Sequence, residues 1–398
     1  MLKRLIKFFV FIFTILYLIN PTQAADLENI AKETMKIAEP YYLNGRYVAL
    51  KYPELHNYSD HGVHHAELVA IKSQSAAKAI NKAIKDNPKN KYYAEIDEVE
   101  LQVAAIMHDT GMDGGSFKNY ENGNLVRKDH SLNSAIHVLE NREKIAEFGV
   151  DVDAVAVDCM AHSKSCSGVR DLTSVEQWLK CFNRIDDAVK MYNEKYPDKK
   201  IYFDRRRWID NGKINADYFA KTASIVAALR LGDANREAAE YPFNQSGSYI
   251  EVNFDSYVPN AETWQEEVKN ADITLIDIYG NVNSIQNIST DSEGYDKMYP
   301  TGEGNLSMDC VYNPKTQSIK EQFKIHHAMS FPLATQQCIE ERLEELDTIK
   351  NFPVEAEIKI DGSSLSSADK RKLMRKYRRY CKTAQKQHGF PVKYVVKS

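Results

Sequence analysis

The chain has 398 residues, of which 43% are hydrophobic and 27% are charged, and its formal net charge is −4. This length allows two domains, and the composition is that of a globular protein, which excludes a disordered chain. The small negative charge gives no general attraction to nucleic acid or to an anionic membrane, so an anionic partner is expected to be small and to bind at a local cluster of cations.

The first 24 residues have the pattern of a secretory signal peptide. A basic start, Met1 to Lys7, precedes a short apolar stretch from Phe8 to Ile19 and the small-residue sequence Thr22-Gln23-Ala24. Such a stretch is short for a membrane span, which needs about 20 residues, although an uncleaved anchor from Leu5 to Asn20 is the alternative. We expect cleavage near Ala24, no transmembrane domain afterwards, and export to the periplasm or the medium.

Between residues 25 and 240 the apolar residues recur at helical spacing, which predicts an all-α domain. Metal-binding residue types stand at the ends of three of the predicted helices: they are His65, the adjacent pair His108-Asp109, and Asp233. An imidazole and a carboxylate side by side at a helix end are poor core material and good metal ligands. Asp186 also follows an amphipathic stretch and is the alternative to Asp233.

This ordered set resembles the HD superfamily of metal-dependent phosphohydrolases. His65 stands four residues before Val69, as the first family His does; His108-Asp109 follows an apolar run and precedes a Gly; and Asp233 follows a Leu-Arg-Leu stretch. The resemblance covers about residues 50 to 240. It implies an HD-domain helical bundle in which His65, His108, Asp109 and Asp233 hold a divalent transition metal, either Mn, Fe or Zn, with Mg possible.

Two more imidazoles, His130 and His162, resemble the extra ligands of dinuclear HD proteins, so the chain is expected to hold one or two ions. Asp109 would bridge the ions or orient the attacking water, with His130 and His162 as further catalytic residues. The HD-GYP cyclic-dinucleotide phosphodiesterases have a His pair where this chain has His162-Ser163, and their Gly-Tyr-Pro motif is absent. Hydrolysis of cyclic di-GMP is therefore not predicted.

The predicted activity is hydrolysis of a phosphate ester or anhydride, with a nucleotide favoured as the small phosphorylated substrate. Four residues are candidates for contacts with that substrate: His61, Lys164, Arg230 and Arg236. His61 shares a helix face with His65, and the three cations suit phosphate oxygens. Two alternatives stay open, namely a non-catalytic ligand-binding or sensor protein on an HD domain, and an HD-type di-iron oxygenase.

A polar segment from 193 to 216 is predicted as an insertion in the helical domain. Its sequence Arg205-Arg206-Arg207-Trp208 would either clamp a phosphate and stack a base or form a solvated charge run anchored by Trp208. The second interpretation is favoured.

Residues 241 to 398 change to alternating apolar and polar stretches with two helices between them, Phe331 to Lys350 and Ser367 to His388. This order predicts a smaller α+β domain, arranged as in ferredoxin-like folds, with an unknown role and an unknown protein partner. The second helix is rich in Lys and Arg. We expect its apolar stripe to pack on a sheet, with binding to an anionic surface as the less favoured alternative.

Six cysteines occur in the chain, which allows disulfides in an exported protein. Cys159, Cys166 and Cys181 lie near His162 without the spacing of a structural zinc site. A local disulfide that braces the His162 loop is expected, and buried thiols are the alternative.

Overall fold

The computed structural model describes residues 21–52, 61–115, 117–234, 249–253, 272–276, 282–284, 306–325, 333–349, 351–362 and 366–397. Helices dominate before residue 235, and strands with two further helices follow. The eleven α-helices of these residues are α1 (Pro21–Lys51), α2 (Val63–Asp86), α3 (Glu98–Met107), α4 (Gly123–Glu140), α5 (Arg142–Ala146), α6 (Val152–Ala161), α7 (Lys164–Ser167), α8 (Val175–Lys195), α9 (Ala216–Asp233), α10 (Leu333–Leu346) and α11 (Ser367–His388).

Most of these helices begin at a residue whose side chain caps the first turn. Asp97 accepts hydrogen bonds from the N–H groups of Val99 and Glu100 at the start of α3. The same function at α4, α6, α7, α8, α9 and α11 is performed by Asn122, Asp151, Ser163, Ser174, Asn215 and Ser366. Such caps satisfy N–H groups that have no partner within the helix, so the sequence itself sets where each helix starts.

The predicted insertion between α8 and α9 contains a short hairpin of β1 (Ile209–Asp210) and β2 (Lys213–Ile214). Its turn is Asn211-Gly212, both with positive φ, as two-residue hairpins require. Trp208 is fully buried, and its indole N–H donates to the Thr222 hydroxyl. The interpretation as an anchored charge run is confirmed, since a buried indole is not free to stack on a base.

After residue 248 the strands form two sheets. A three-stranded antiparallel sheet has the order β3 (Tyr249–Asn253), β4 (Asp272–Ile276), β5 (Val282–Ser284). A four-stranded sheet has the order β6 (Leu306–Asn313), β7 (Ser318–Ile325), β8 (Val354–Asp361), β9 (Val392–Lys397).

The four-stranded sheet is mixed, because β6 and β7 are antiparallel whereas β7, β8 and β9 run parallel, with α10 and α11 as crossovers. The prediction of a ferredoxin-like arrangement was therefore wrong. Ferredoxin-like folds have the element order β-α-β-β-α-β, whereas this sheet has the order β-β-α-β-α-β and begins with the unpredicted strand β6. The helix α11 covers the predicted residues, and its Leu373, Tyr377 and Cys381 are buried while its Lys and Arg side chains are largely exposed.

One cluster of buried apolar side chains includes residues of both the helices and the four-stranded sheet. The helix α2 lies against β6, where Lys72 donates to the carbonyl of Met308 at 2.8 Å and pairs with Asp309. From the loop before α3, Tyr93 donates to the carbonyl of Thr348, just after α10. The predicted boundary near residue 240 lies outside the described residues and stays a prediction.

Residues 1–20 of the predicted signal peptide also lie outside the described residues, and residues 21–24 belong to the first turn of α1. Among the described helices, none has the length and apolar character needed to cross a membrane. Of the six cysteines, Cys159, Cys166, Cys181, Cys310 and Cys381 have described side chains, and all five are free and buried. The expected disulfide beside His162 is thus replaced by thiols that pack in the core.

Candidate metal centre

Two of the predicted ligands, His108 and His162, stand at equivalent places on their helices. Each is the C-cap residue, His108 of α3 and His162 of α6. Their Nδ1 atoms lie 2.8 Å from the carbonyl oxygen of Ala105 and 2.6 Å from that of Cys159, three residues back. These carbonyls belong to the last turn of a helix, where oxygens lack an intrahelical donor, so each ring donates Nδ1–H to one.

This hydrogen bond leaves Nε2 as the ring nitrogen that faces Asp109. The same arrangement occurs inside α4, where Nδ1 of His130 lies 2.5 Å from the carbonyl oxygen of Arg127. Backbone carbonyls that receive one ring N–H fix the tautomer and orientation of metal-binding imidazoles. Three rings of this chain are therefore held ready to bind an ion through Nε2.

The remaining imidazole and the second carboxylate come from α2 and α9. His65 lies in the first turn of α2, and its Nε2 is 3.2 Å from Oδ1 of Asp233, the last residue of α9. Oδ1 of Asp233 is also 3.5 Å from Nε2 of His108. The helices α2 and α9 pack closely, which brings together residues 168 positions apart.

Asp109 lies at the centre of the cluster. Its Oδ2 is 3.4 Å from Nε2 of His65 and 3.2 Å from Nε2 of His108. Its Oδ1 is 3.3 Å from Nε2 of His130 and 3.4 Å from Nε2 of His162. The ligand atoms thus form two groups, His65-His108-Asp109-Asp233 and Asp109-His130-His162, that share Asp109. A carboxylate with one oxygen in each group is suited to bridge two ions.

The cluster passes a test of whether an ion fits. Both oxygens of Asp109 and Nε2 of His108 are buried and have no hydrogen-bond partner of normal geometry among the described residues. The Nε2 atoms of His130 and His162 face each other at 3.0 Å. Buried groups of this kind are costly unless a ligand satisfies them, and the set of imidazoles and carboxylates is the one that divalent transition metals prefer. The cluster can therefore hold a metal.

The imidazoles of the cluster differ in the direction in which their pKa is shifted. Burial opposes a charge on His108, but Asp109 and Asp233 raise the pKa of its ring to about 10. Burial and the neighbouring Arg127 hold the pKa of His130 well below its usual value and that of His61 at about 3. The pKa of Asp109 stays well below its usual value despite burial, because the imidazoles of His108 and His61 face it. The centre thus carries ionised carboxylate beside a protonated His108 and the neutral rings of His61 and His130.

Gly111 holds the turn that follows Asp109 against α4. A Cβ atom at this position would lie 2.0 Å from the carbonyl oxygen of His130, which no side chain permits. The Gly111 N–H donates to the Ser134 hydroxyl, and the Asn133 amide donates to the Gly111 carbonyl. This close approach sets the distance between Asp109 and His130.

Arg230 is a correction to the predicted substrate contacts. Its side chain is 2% exposed, and its guanidinium donates to the carbonyl of Ala161 at 2.5 and 3.1 Å and to that of Val169 at 2.6 Å. It positions the loop after His162 from within the core and does not face a substrate.

The other predicted residues differ in whether they lie at the cluster. Asp233, not Asp186, lies in the cluster, since Asp186 is 41% exposed and pairs with Arg205. His61 lies beside it, with Nε2 3.9 Å from Oδ2 of Asp109. Lys164 pairs with Glu345 at 2.9 Å, and Arg236 lies outside the described residues.

Two neighbours of the centre were missed in the sequence. Arg127 has Nη1 3.0 Å from Nε2 of His130, and its position three residues before His130 on α4 was a usable signal. Glu345 lies on α10, in the C-terminal part of the chain. Its carboxylate pairs with Lys164 and acts electrostatically on Asp233. No local pattern indicates such a contact.

Comparisons with known proteins gave no match: no family model, no curated protein and no solved structure matches the chain.

Proposed function

We propose that this protein is an exported, metal-dependent phosphohydrolase that cleaves a phosphate ester or anhydride, with a nucleotide as the favoured substrate. The observation that supports it most is the division of the cluster into two ligand groups joined by Asp109. Paired ions about 3.5–4 Å apart serve in-line displacement at phosphorus in many unrelated enzymes. The resemblance of the His65, His108-Asp109 and Asp233 pattern to the HD superfamily supports the same reaction and a helical HD bundle.

We assign the following metal-binding roles to the residues of the cluster. His65, His108 and Asp233 hold one ion, His130 and His162 hold the other, and Asp109 binds both. Mn, Fe or Zn suits this ligand set best, and Mg is possible. Once bound, the ions supply Lewis acidity, which lowers the pKa of a water ligand and draws charge from a phosphoryl oxygen.

Arg127 is the residue we assign to the substrate phosphate. Its guanidinium lies beside the ligand atom of His130, so an anion at the second ion position would meet it. Guanidinium binds phosphate with two parallel hydrogen bonds. His61, neutral because of its lowered pKa, lies on the other oxygen of Asp109 and would accept a hydrogen bond from the attacking water or the substrate.

The test is a comparison of the wild type with Asp109→Ala. Both chains, purified without chelator, would be assayed with bis-p-nitrophenyl phosphate and a panel of nucleoside mono-, di- and triphosphates, each with Mn²⁺, Fe²⁺, Zn²⁺ and Mg²⁺. We expect metal-dependent hydrolysis in the wild type and none in the variant, because the shared ligand is gone. Asp186→Ala is the matched control and should behave as wild type.

Hydrolysis by Asp109→Ala at the wild-type rate would overturn the mechanism. A wild type that hydrolyses nothing with any of the four ions would overturn the activity. Bound iron with a visible charge-transfer band in that same protein would then support the oxygenase alternative, and binding of nucleotide without turnover would support the sensor alternative.

A further inference from the structure

The exposed side of α11 concentrates positive charge. Of the 22 residues of this helix, nine are Lys or Arg and one, Asp369, is acidic, in a chain whose formal net charge is −4. Seven of the nine cations are exposed and form what we call the basic stripe: Arg371, Lys372, Arg375, Arg378, Arg379, Lys382 and Lys386. The charge of the whole chain gives no general attraction to polyanions, but this helix by itself does.

The basic stripe lies along one side of the helix. With about 100° per residue, its seven side chains fall within roughly 120° of the helix circumference and extend over about 22 Å along the axis. The opposite side is occupied, because Leu373, Tyr377 and Cys381 are buried in the hydrophobic core. The stripe is therefore a straight row of cations on the side of α11 that is turned to solvent.

The cations of the stripe do not contribute to the stability of the fold through ion pairs. Among the described residues, no salt bridge joins the stripe to a carboxylate, whereas an exposed lysine of α8, Lys180, pairs with Glu176 one turn away. The stripe instead places like charges four positions apart, for example Arg375 and Arg379. Such pairs destabilise a helix, so the stability of α11 does not explain the stripe.

The composition of the stripe favours a row of phosphate groups as its partner. Four of its seven residues are Arg, whose guanidinium binds a phosphate with two parallel hydrogen bonds. Helices that bind a membrane surface insert an apolar face into it, and the apolar face of α11 is already buried. A nucleic acid presents closely spaced phosphates along a line and needs no apolar contact, so it fits both the charge and the shape of the stripe.

We propose that the basic stripe of α11 binds the phosphate backbone of a nucleic acid. Contacts between Lys or Arg and phosphate release condensed counterions, so this binding weakens steeply as salt is added. Phosphate contacts carry no information about the bases, and the stripe would therefore not distinguish one sequence from another. The stripe belongs to the C-terminal part of the chain, and its function does not depend on the proposed hydrolysis.

The experiment measures binding of the full chain to a fluorescein-labelled DNA duplex two helical turns long, by fluorescence anisotropy in buffer without added metal. If four phosphates are contacted, the affinity should fall roughly 100-fold between about 50 and 200 mM salt. The main variant combines Arg375→Gln, Arg379→Gln and Lys382→Gln. In this triple variant the slope of log affinity against log salt should be smaller by about 3.

Two controls separate charge at the stripe from charge elsewhere. Neutralising three exposed lysines outside α11 together, by Lys89→Gln, Lys199→Gln and Lys200→Gln, should leave the slope and the affinity at their wild-type values. Combining Arg375→Lys with Arg379→Lys keeps the charge and should keep the slope. Urea unfolding tests for a structural role, because the triple variant of the stripe should be at least as stable as wild type once like charges are removed.

A wild type that does not bind the duplex at low salt would overturn the proposal, as would equal slopes for wild type and the triple variant of the stripe. Sedimentation with vesicles of phosphatidylcholine and phosphatidylserine tests the other extended anion. Binding to these vesicles without binding to the duplex would refute nucleic acid as the partner. The readout is binding and not turnover, so an inactive wild type would refute the proposed hydrolysis and leave this result intact.

Discussion

The Nε2 atoms of His130 and His162 lie 3.0 Å apart, although the two residues belong to different helices and stand 32 positions apart. Both rings give their Nδ1–H to a backbone carbonyl, so both Nε2 atoms face the centre of the cluster. Nη1 of Arg127 also lies 3.0 Å from Nε2 of His130. The two Nε2 atoms and Asp109 form a group of ligand atoms close enough together to hold an ion.

From this pair follows a prediction about metal stoichiometry. We expect His162→Ala to hold one ion fewer than wild type, because the group of His65, His108 and Asp233 keeps its ligands. Elemental analysis of protein loaded with Mn²⁺ or Zn²⁺ measures this directly. The control is His388→Ala, because the ring nitrogens of His388 are hydrogen-bonded to Asp347 and Glu340. An unchanged ion count in His162→Ala would show that His162 is not a ligand.

Arg127 should matter to substrate and not to metal. Replacing it with Ala removes a charge-assisted hydrogen bond worth about 1.5–3 kcal/mol, so kcat/KM should fall roughly 10- to 100-fold while the ion count stays the same. The neighbouring exposed Lys128→Ala serves as the control. Loss of metal from Arg127→Ala, or an unchanged kcat/KM, would contradict the assignment.

Gly111→Ala should damage both stability and metal binding. The new Cβ would meet the carbonyl oxygen of His130 at 2.0 Å and Cβ of Asn133 at 2.5 Å, so the turn must move away from α4. Overpacking of this kind costs about 1–3 kcal/mol or more. Urea unfolding gives the change in free energy, and titration with Zn²⁺ gives the change in affinity. Gly45→Ala, where the nearest atom is 3.6 Å away, should be tolerated.

Glu100 should make the protein less stable as the pH rises from about 5 to about 7. Its carboxyl is 1% exposed, and burial raises its pKa from 4.5 to about 7 despite the ion pair with Lys221. The folded state therefore keeps a proton that the unfolded state has lost in this window. The contribution is complete below pH 4.5 and is lost as the pH passes 7.

The measurement for Glu100 is the free energy of unfolding across that pH range. Between pH 5 and 7 the wild type should lose roughly 1–3 kcal/mol relative to Glu100→Gln, which cannot ionise there. The buried Asp158, whose pKa burial and Glu100 also raise, acts in the same direction. Glu95→Gln, an exposed carboxylate paired with Lys85, should follow the wild-type profile, and parallel curves for wild type and Glu100→Gln would refute the argument.

How much could be predicted from the sequence depends on how local the signal is. The position of His108 at a helix end could be predicted, because the apolar run of α3 precedes it and the helix-breaking Gly111 follows it. The choice of Asp233 over Asp186 also came from the local Leu-Arg-Leu pattern, and the structure brings only Asp233 to the cluster. Helix ends and caps are short-range features that a single sequence carries.

The rest depends on contacts between distant segments. Glu345 reaches Lys164 across 181 positions, and neither residue has a neighbour that indicates the other. Arg230 has the residue type of a phosphate ligand, and only the packing of α9 against the loop after α6 shows that carbonyls occupy its guanidinium. The strand β6 was not predicted, although its hairpin partner β7 lies in a stretch whose alternation the sequence shows.

Arg230 also relates the two ligand groups to each other. It stands three residues before Asp233 on α9, and it donates to the carbonyl of Ala161, the residue before His162. One helix therefore supplies a ligand atom to the first group and positions a residue of the second group. Because one added residue turns a helix by about 100°, an insertion between Arg230 and Asp233 would put the two groups out of register with each other. The spacing of this single helical turn sets the separation between the two ligand groups.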